Sequence, residues 1–537
     1  MNKKLSLILG AVLFFITSVP ATDGPVWVRL YNGPANSDEV VCAVLTDGER
    51  NVVVVGSSPG TGTAYDIVVL KYSPNGDSIW VKRIAGSGLS NDYARAAAVD
   101  ASGAIYLTAI TGIYPDYNIL TLKLNPDGSE AWRATYQGSA GRADEPVAMV
   151  IDGSGNVYVT GSETDANGVT DIVTIKYTAT GGQAWVAYYD GGASDVPADI
   201  AVAPDGSVYV AGSSLQGSYD DIVTVKYNTG GGQEWAMLFN GSNAPDNGKS
   251  VAVDANGNCY VTGKTATAPP PGGQYNLVTL KYSPAGNQLW QKVYTGFNRG
   301  VEPTDLVAGA TALYLTGTVT GTANTDILTI AYNLNTGDTL WARRFNGVAN
   351  KNDEGNRLVL DAAGRIHVIG SSQDANSRSD YCRLRYSNSG VLQGSGIYNG
   401  AFNNDDKGVG IAVDGNMDVV ITGVSFGGTS IMSYDILTVK YDSAAPGVNE
   451  HILFPGVSSG LRVYPNPARG RVNLGVDADK PVLIRVWSAS GNLCQEVKLP
   501  AGGKNGYNLD INGLSSGVYI LEMQAGNRRE KGKIVVE

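Results

Sequence analysis

Residues 221–235 read DIVTVKYNTGGGQEW: an apolar run, a glycine-rich turn and a tryptophan. Consecutive β-branched residues without polar alternation indicate a strand that is covered on both faces. Similar runs recur along the chain together with seven of its eight tryptophans, Trp27, Trp80, Trp132, Trp185, Trp235, Trp290 and Trp341. Successive members are 53, 52, 53, 50, 55 and 51 residues apart, which indicates one supersecondary unit copied many times.

Each unit is predicted to contain four strands, of which the apolar run is the third and the tryptophan segment the fourth. The third strand occurs eight times, at 66–72, 118–124, 171–177, 221–227, 276–282, 326–332, 380–386 and 435–441. The last copy has no fourth strand after it, whereas Trp27–Tyr31 lies before the first unit. We therefore predict an all-β, eight-bladed β-propeller over residues 25–441, in which this N-terminal strand completes the last blade and removes a free edge.

Several elements of the unit carry a family resemblance. The segments VAVD, N-V-Y-V-T-G and D-x-x-x-x-K-Y, as in 251–254, 156–161 and 221–227, resemble the SBBP-type bacterial propeller repeat. The Gly-x-x-x-Trp segments, such as Gly231 to Trp235, look like the tryptophan motif of quinoprotein propellers. Quinoprotein dehydrogenases use adjacent cysteines and acidic calcium ligands, and adjacent cysteines do not occur here, so only the architecture is carried over.

The N-terminus is predicted to be a secretory signal peptide over residues 1–21. Lys3 and Lys4 precede an apolar run at 5–19, and Val19-Pro20-Ala21 offers small residues at a cleavage site. Beyond it the sequence contains no apolar run long enough to span a bilayer, so we expect no transmembrane segment after signal removal.

The C-terminus is predicted to be a separate β-sandwich of Ig-like type over 461–537, after a Pro/Gly/Ser-rich linker at 442–460. It resembles the C-terminal sorting domain of type IX secretion substrates in the Tyr464-Pro465-Asn466-Pro467 opening, the segment with Gly517 and Tyr519, and the basic-then-apolar terminal strand around Lys533. The resemblance implies engagement of the type IX secretion machinery and export across the outer membrane, with release or attachment at the cell surface.

The composition and motifs narrow the function. The formal net charge is −11, which argues against nucleic acid as a partner. There are two histidines, and we find no P-loop, dinucleotide fingerprint, HExxH or G-x-S-x-G motif. No catalytic residue and no cofactor is therefore assigned. Carboxylate pairs of the glycosidase type stay open, because the sequence cannot measure their separation.

One acidic set recurs in the loops before the first strands. Its members are Asp38, Asp92, Asp144, Asp195, Asp246, Asp353 and Asp405, with Glu302 near the corresponding loop of the sixth unit. A ring of carboxylates at the channel mouth could bind Ca²⁺, for which Asp144, Asp195, Asp246 and Asp353 are the candidates. The alternative, which we favour, is that each Asp accepts hydrogen bonds from its own tight loop.

The loops between second and third strands vary most from unit to unit. The longest, 264–275, contains Pro269, Pro270, Pro271 and Tyr275, and we predict a ligand-binding face there. The leading hypothesis is a secreted or surface-displayed, non-catalytic module that binds a protein or a glycan. The alternatives are a secreted carbohydrate-active hydrolase or lyase using channel carboxylates, and a structural surface component.

Overall fold

The computed structural model describes residues 25–61, 64–86, 90–138, 140–270, 272–295, 300–400, 402–427, 433–442, 462–464, 471–475, 481–488, 493–500, 507–514, 517–525 and 528–536. None of these residues is helical. The predicted signal peptide lies outside the described residues. The chain divides into two units, Met1–His451 and Ile452–Glu537.

The described residues of the first unit form eight four-stranded antiparallel sheets, which are the blades of the propeller. Their strands, in order from first to fourth, are Val40–Thr46, Val52–Pro59, Tyr65–Tyr72 and Ser78–Ile84 in blade 1; Tyr93–Val99, Ile105–Ile113, Asp116–Leu124 and Glu130–Tyr136 in blade 2; Glu145–Ile151, Val157–Thr164, Thr170–Tyr177 and Gln183–Tyr189 in blade 3; and Asp195–Val202, Val208–Gln216, Tyr219–Tyr227 and Gln233–Phe239 in blade 4. They continue with Asp246–Val253, Cys259–Ala266, Tyr275–Tyr282 and Gln288–Tyr294 in blade 5; Val301–Ala308, Ala312–Thr320, Thr325–Asn333 and Thr339–Phe345 in blade 6; Asp353–Leu360, Ile366–Gln373, Ser379–Tyr386 and Leu392–Tyr398 in blade 7; and Asp406–Val413, Val419–Phe426, Tyr434–Tyr441 and Trp27–Tyr31 in blade 8.

The N-terminal strand closes the ring as predicted. It pairs antiparallel with the third strand of blade 8, with Trp27 opposite Lys440 and Tyr31 opposite Ile436. First strands of successive blades contact one another around the whole ring, including those of blades 8 and 1. The prediction of eight blades is therefore confirmed.

The hydrophobic core lies between the blades, at interfaces that we call seams. Val54 and Leu70 of blade 1, for example, pack in one buried cluster with Val420 and Ile436 of blade 8. The middle strands are almost fully buried, so their continuous apolar runs are explained by cover on both faces.

Each recurrent tryptophan packs across a seam. The ring of Trp185 lies on Gly231 of the next blade, where a Cβ atom would come within 2.7 Å of the ring, and its indole N–H donates to the carbonyl of Thr229 at 3.1 Å. Gly231 has a φ of +86°, which favours glycine. The same docking joins Trp27 to Gly76, Trp80 to Gly128, Trp132 to Gly181, Trp235 to Gly286, Trp290 to Gly337 and Trp341 to Gly390.

The seam between blades 7 and 8 lacks this contact for a topological reason. The fourth strand of blade 8 is the N-terminal segment, so blade 8 has no turn between its third and fourth strands. A tryptophan on blade 7 would find no glycine turn to cover, and Gly394 occupies the corresponding position opposite Arg385. At this seam the guanidinium of Arg383 lies 4.2 Å from the ring centre of Tyr441.

The described strands of the second unit form two sheets around a shared core. One contains Arg462–Tyr464, Arg471–Gly475 and Tyr507–Asp510, and the other contains Leu493–Leu499, Val482–Ser488, Gly517–Ala525 and Arg528–Val536. Val472 and Leu509 of the first sheet are buried with Ile484 and Leu521 of the second. This is the arrangement of a small β-sandwich.

Candidate functional site

Antiparallel pairing brings the predicted acidic loops and the loops between second and third strands to one side of the ring. Asp195, at the start of the first strand of blade 4, lies opposite Ser214, near the end of the second strand. Asp246 faces Thr265 in the same way in blade 5. We call this side the upper face, and the side carrying the turns between first and second strands the lower face.

The four carboxylates predicted as metal candidates are buried at the upper face. Asp195, Asp246 and Asp353 begin first strands and are fully buried, and Asp144 directly precedes one and is 2 % exposed. Each accepts a hydrogen bond from a glycine N–H of its own loop, namely Gly138, Gly191, Gly241 and Gly347, at 2.5–2.6 Å. Burial raises the pKa of all four, that of Asp144 to about 6.

The structure corrects the register of the predicted ring at two blades. The carboxylates that accept the loop glycine N–H in blades 1 and 8 are Glu39 and Asp406. Asp38 and Asp405, one residue earlier, instead accept the N–H groups that begin the third strands of the preceding blades, those of Tyr434 and Ser379, both at 2.9 Å.

Blade 6 has no acid at this position in the described chain. Val301 occupies it and faces Val319, where other blades place a hydroxyl or carboxylate opposite the acid. Glu302 points away from this position and pairs with Lys249 at 2.7 Å and Lys264 at 2.9 Å. In blade 6, the acid and the polar residue opposite it are therefore both replaced by valine.

A second acidic set lies at the start of the third strands, and the sequence analysis treated its members only as strand residues. Asp171, Asp221, Asp380 and Asp435 belong to it. Burial and the nearby Asp406 of the next blade raise the pKa of Asp380 to about 8. Burial and Asp246 of the next blade likewise raise the pKa of Asp221. Carboxyl groups of neighbouring blades therefore meet at the upper ends of several seams.

The four predicted candidates do not form one site. Within the described residues, a single group of three acidic, histidine or cysteine side chains is close enough to share a metal ion, and it consists of Asp171, Asp190 and Asp195. One carboxylate oxygen of each lies within 4.8 Å of the others. Asp144, Asp246 and Asp353 lie at other seams.

Several carboxylates of the lower face have lowered rather than raised pKa values. In blade 5, Asp254 accepts two N–H groups of its turn, from Asn256 and Asn258, and the hydroxyl of Tyr260 at 2.8 Å. Burial alone would raise its pKa, but these hydrogen bonds outweigh it and lower the pKa. The pKa is lowered in the same way at the corresponding turn residues Asp47, Asp100, Asp152 and Asp361.

A central channel with a cavity of about 300 Å³ is lined by the first strands of all eight blades. Two acids that line it accept hydrogen bonds from the backbone. Asp199 accepts from the N–H of Val251 at 3.0 Å, and Asp305 accepts from the N–H of Leu358 at 2.8 Å. Burial raises the pKa of Asp305 to about 6, although Arg357 opposes this.

Four tyrosines form a patch on the upper face of blades 1 and 2, which we call the tyrosine patch: Tyr65, Tyr93, Tyr114 and Tyr117. The rings of Tyr65 and Tyr93 lie 4.8 Å apart and those of Tyr114 and Tyr117 lie 6.0 Å apart, between centroids. Tyr114 is 76 % exposed. Burial raises the pKa of Tyr93, with the neighbouring Tyr117 adding to the effect. The sequence analysis did not identify this patch.

The loop predicted as a ligand-binding face lies on the upper face of blade 5. Pro269 and Pro270 are exposed, and Pro271 lies outside the described residues. Tyr275 is half-buried, with the ammonium group of Lys264 4.8 Å from its ring centre. The loop therefore presents one aromatic ring, already covered by a cation, whereas blades 1 and 2 present four.

The predicted sorting-motif residues fall in the C-terminal sandwich. Tyr464 lies opposite Asn473, Gly517 opposite Val536, and Lys533 opposite Ile520, while Tyr519 is buried. Pro465, Asn466 and Pro467 lie outside the described residues.

Comparisons with known proteins identify parts of both units. Residues 462–537 match the family described as secretion system C-terminal sorting domain, and residues 234–268 match the SBBP beta-propeller repeat. No curated protein matches the chain. The chain thus carries a type IX sorting domain, which indicates export across the outer membrane to the cell surface or extracellular space. Within the described part, no helix has the length and apolarity needed to traverse a bilayer.

Solved structures similar to the chain include the propeller domain of a protease, a WD40 domain and a polysaccharide lyase. The propeller domain of the Trilobed protease from Pyrococcus furiosus is 9 % identical, with a TM-score of 0.36 over 68 % of this chain and 96 % of that one. The WD40 domain of SCAP from fission yeast is 11 % identical, with a TM-score of 0.40 over 78 % and 98 %. Polysaccharide lyase Uly1 is 10 % identical, with a TM-score of 0.40 over 65 % and 89 %.

Proposed function

We propose that this exported propeller is a non-catalytic module that binds glycans through the tyrosine patch on blades 1 and 2. The observation that carries the proposal is the grouping of Tyr65, Tyr93, Tyr114 and Tyr117, with Tyr114 76 % exposed. Large aromatic side chains left in contact with water on a rigid scaffold are typical of recognition surfaces.

The chemistry of tyrosine suits a sugar. Its ring offers a flat apolar surface to the C–H groups of a pyranose, and its hydroxyl adds a polar tip. Polar side chains border the patch: the amide of Gln137 donates to Asp116 at 3.3 Å, and the amide of Asn91 accepts the N–H of Tyr65 at 3.1 Å. Such groups can hydrogen-bond the hydroxyls of a bound sugar.

The loop with Pro269, Pro270 and Tyr275 lies on the same face, and we propose it as a second contact for an extended ligand. The rival function, a hydrolase or lyase using channel carboxylates, needs an acid that is available to the substrate. Asp199 and Asp305 instead accept backbone N–H groups, and Glu302 is held by two lysines. These contacts favour binding over catalysis.

The test is glycan-array binding of the purified protein with analysis of every bound glycan for products. We expect Tyr114→Ala and Tyr93→Ala each to weaken binding by about fivefold or more, since aromatic contacts of this kind contribute about 1 kcal/mol or more. Tyr188→Ala is the matched control, because Tyr188 is also an exposed tyrosine, 52 % exposed, but lies on the fourth strand of blade 3. Unchanged binding by both patch variants at unchanged Tm would contradict the proposal, and turnover of a bound glycan would establish the rival.

A further inference from the structure

The seam between blades 3 and 4 brings three carboxylates together at the upper face. Asp171 begins the apolar run of the third strand of blade 3, Asp190 follows its fourth strand, and Asp195 begins the first strand of blade 4. One oxygen from each lies within 4.8 Å of the others. Asp190 is exposed, so the group is accessible from solvent.

The innermost member of the group is buried without full hydrogen bonding. Asp195 is 0 % exposed, and its Oδ2 accepts the N–H of Gly191 at 2.6 Å. Its Oδ1, like Oδ1 of Asp171, is buried without a hydrogen bond from the described residues, as are the Oδ1 atoms of Asp221 and Asp246 at the next seam. The hydroxyl of Ser214 lies nearby and lowers the pKa of Asp195 without offsetting the effect of burial. Buried polar atoms in proteins are usually hydrogen-bonded, so a partner for these oxygens is expected.

The surrounding charges disfavour the ionised form of Asp171. Burial raises the pKa of Asp171 to about 6, and the largest electrostatic contributions in the same direction come from Asp190 and Asp195, followed by Asp165 and Glu163. All of these neighbours are carboxylates, so they repel the charge on Asp171 rather than balance it.

The adjacent seam, between blades 4 and 5, shows what offsets part of such repulsion. Asp221 and Asp246 occupy the positions of Asp171 and Asp195, but the residue before the loop glycine is Asn240 instead of an aspartate. The amide of Asn240 hydrogen-bonds Asp221 and offsets part of the effect of burial, although the pKa of Asp221 remains raised. Asn32, Asn346 and Asn399 occupy the same position in blades 1, 7 and 8. Only at the seam of blades 3 and 4, among the described residues, does a third carboxylate replace the donor.

We propose that Asp171, Asp190 and Asp195 bind a calcium ion. Ca²⁺ takes oxygen ligands at about 2.3–2.6 Å, so ligands on opposite sides of the ion are about 4.6–5.2 Å apart, and three oxygens within 4.8 Å of one another can bind it together. The ion supplies the positive partner that Asn240 supplies in part at the next seam. Extracellular modules commonly bind calcium with Kd values of about 0.1–1 mM, and this chain is exported.

The experiment measures thermal unfolding of the full chain in EGTA and in roughly 5 mM CaCl2, a concentration above the Kd range of extracellular sites. The wild type is expected to gain about 2 °C or more with calcium. Asp190→Asn, which restores the residue of the neighbouring loops, is expected to have a higher Tm than the wild type in EGTA and to lose most of the calcium-dependent gain. Asp171→Asn is expected to lose the gain as well.

Asp165→Asn is the matched control. Asp165 is a nearby carboxylate outside the group of three, and its Oδ1 accepts the N–H groups of Asn167 and Val169, which an amide oxygen can also accept. This variant should keep the full calcium response. Terbium luminescence, excited through tyrosine, gives a second readout, because Tyr189 is close enough for Asp195 and Asp190 to influence its pKa. A wild type without a calcium response, or an Asp190→Asn variant with the wild-type response and terbium signal, would overturn the proposal.

Discussion

The upper and lower faces of the propeller use the same residue type with opposite results. At the lower face, Asp254 is surrounded by donors and its pKa is lowered. At the upper face, Asp380 is buried close to other acids, chiefly Asp406, and its pKa is raised to about 8. Both residues recur in sequence with the blade repeat, so repetition alone does not say whether a carboxylate stabilises the fold.

The partner across the seam explains the difference. Lower-face acids receive N–H and O–H groups from their own turn and strand, as Asp254 does from Asn258 and Tyr260. Several upper-face acids sit where two blades meet and face an acid of the next blade, as Asp221 faces Asp246. The lower face therefore stabilises the ring at neutral pH, whereas the upper face weakens it where it concentrates carboxylates.

The largest effect is expected from the lower half of a seam. Trp341 is 7 % exposed, its ring lies on Gly390, and its N–H donates to the carbonyl of Asn388 at 2.9 Å. Trp341→Ala should lower the free energy of unfolding by about 3–5 kcal/mol, as for other buried aromatic truncations. Urea denaturation measures the change.

A matched control for this prediction comes from blade 7. Gly394→Trp restores the missing tryptophan but has no glycine turn on blade 8 to cover. It should not raise the stability. A gain similar to the loss in Trp341→Ala would show that the tryptophan acts within its own blade rather than across the seam.

The next effect concerns a lower-face acid. Asp254→Ala removes the acceptor for two turn N–H groups, an amide and a tyrosine hydroxyl, and should cost about 2–3 kcal/mol at pH 7. Since the folded-state pKa is lowered, this stabilisation is present above the unfolded pKa of about 4 and is lost as the pH falls further. Wild type and variant should therefore converge toward pH 2; a constant difference would contradict the charge-based explanation.

Much of the architecture could be predicted from the sequence because it is local and repeated. The period of the tryptophans gave the blade length, and the missing fourth strand after Tyr441 predicted the docking of Trp27–Tyr31. Gly394 stands where other units have tryptophan, and only the topology shows that its docking partner is missing.

The candidate site was less accessible because its members come from different blades. Asp171 and Asp195 occupy different positions in the repeat. They come close together only because blades 3 and 4 pack against each other. A signal was nevertheless present: Asp190 stands where other loops have asparagine. The tyrosine patch combines Tyr65 of blade 1 with Tyr93 of blade 2, and it becomes visible only when neighbouring blades are placed side by side.

The most direct test of the contrast between the faces is the stability of Asp380→Asn against wild type, measured by urea denaturation from pH 4 to pH 9. Asn118 and Asn276 occupy the same position in blades 2 and 5, so the fold accepts the amide. Because the folded-state pKa of Asp380 is raised to about 8, wild type loses stability as the pH rises from about 4 to 8, and the variant does not lose this part. Titrating groups that do not interact with Asp380, such as His367, contribute equally to both proteins and cancel in the difference, whereas the response of the neighbouring Asp406 is part of the measured effect.

The account predicts that Asp380→Asn is more stable than wild type by about 1–2 kcal/mol at pH 8–9, and that the two proteins become equal near pH 4. A variant that is less stable than wild type at high pH, or a difference that does not change with pH, would contradict it.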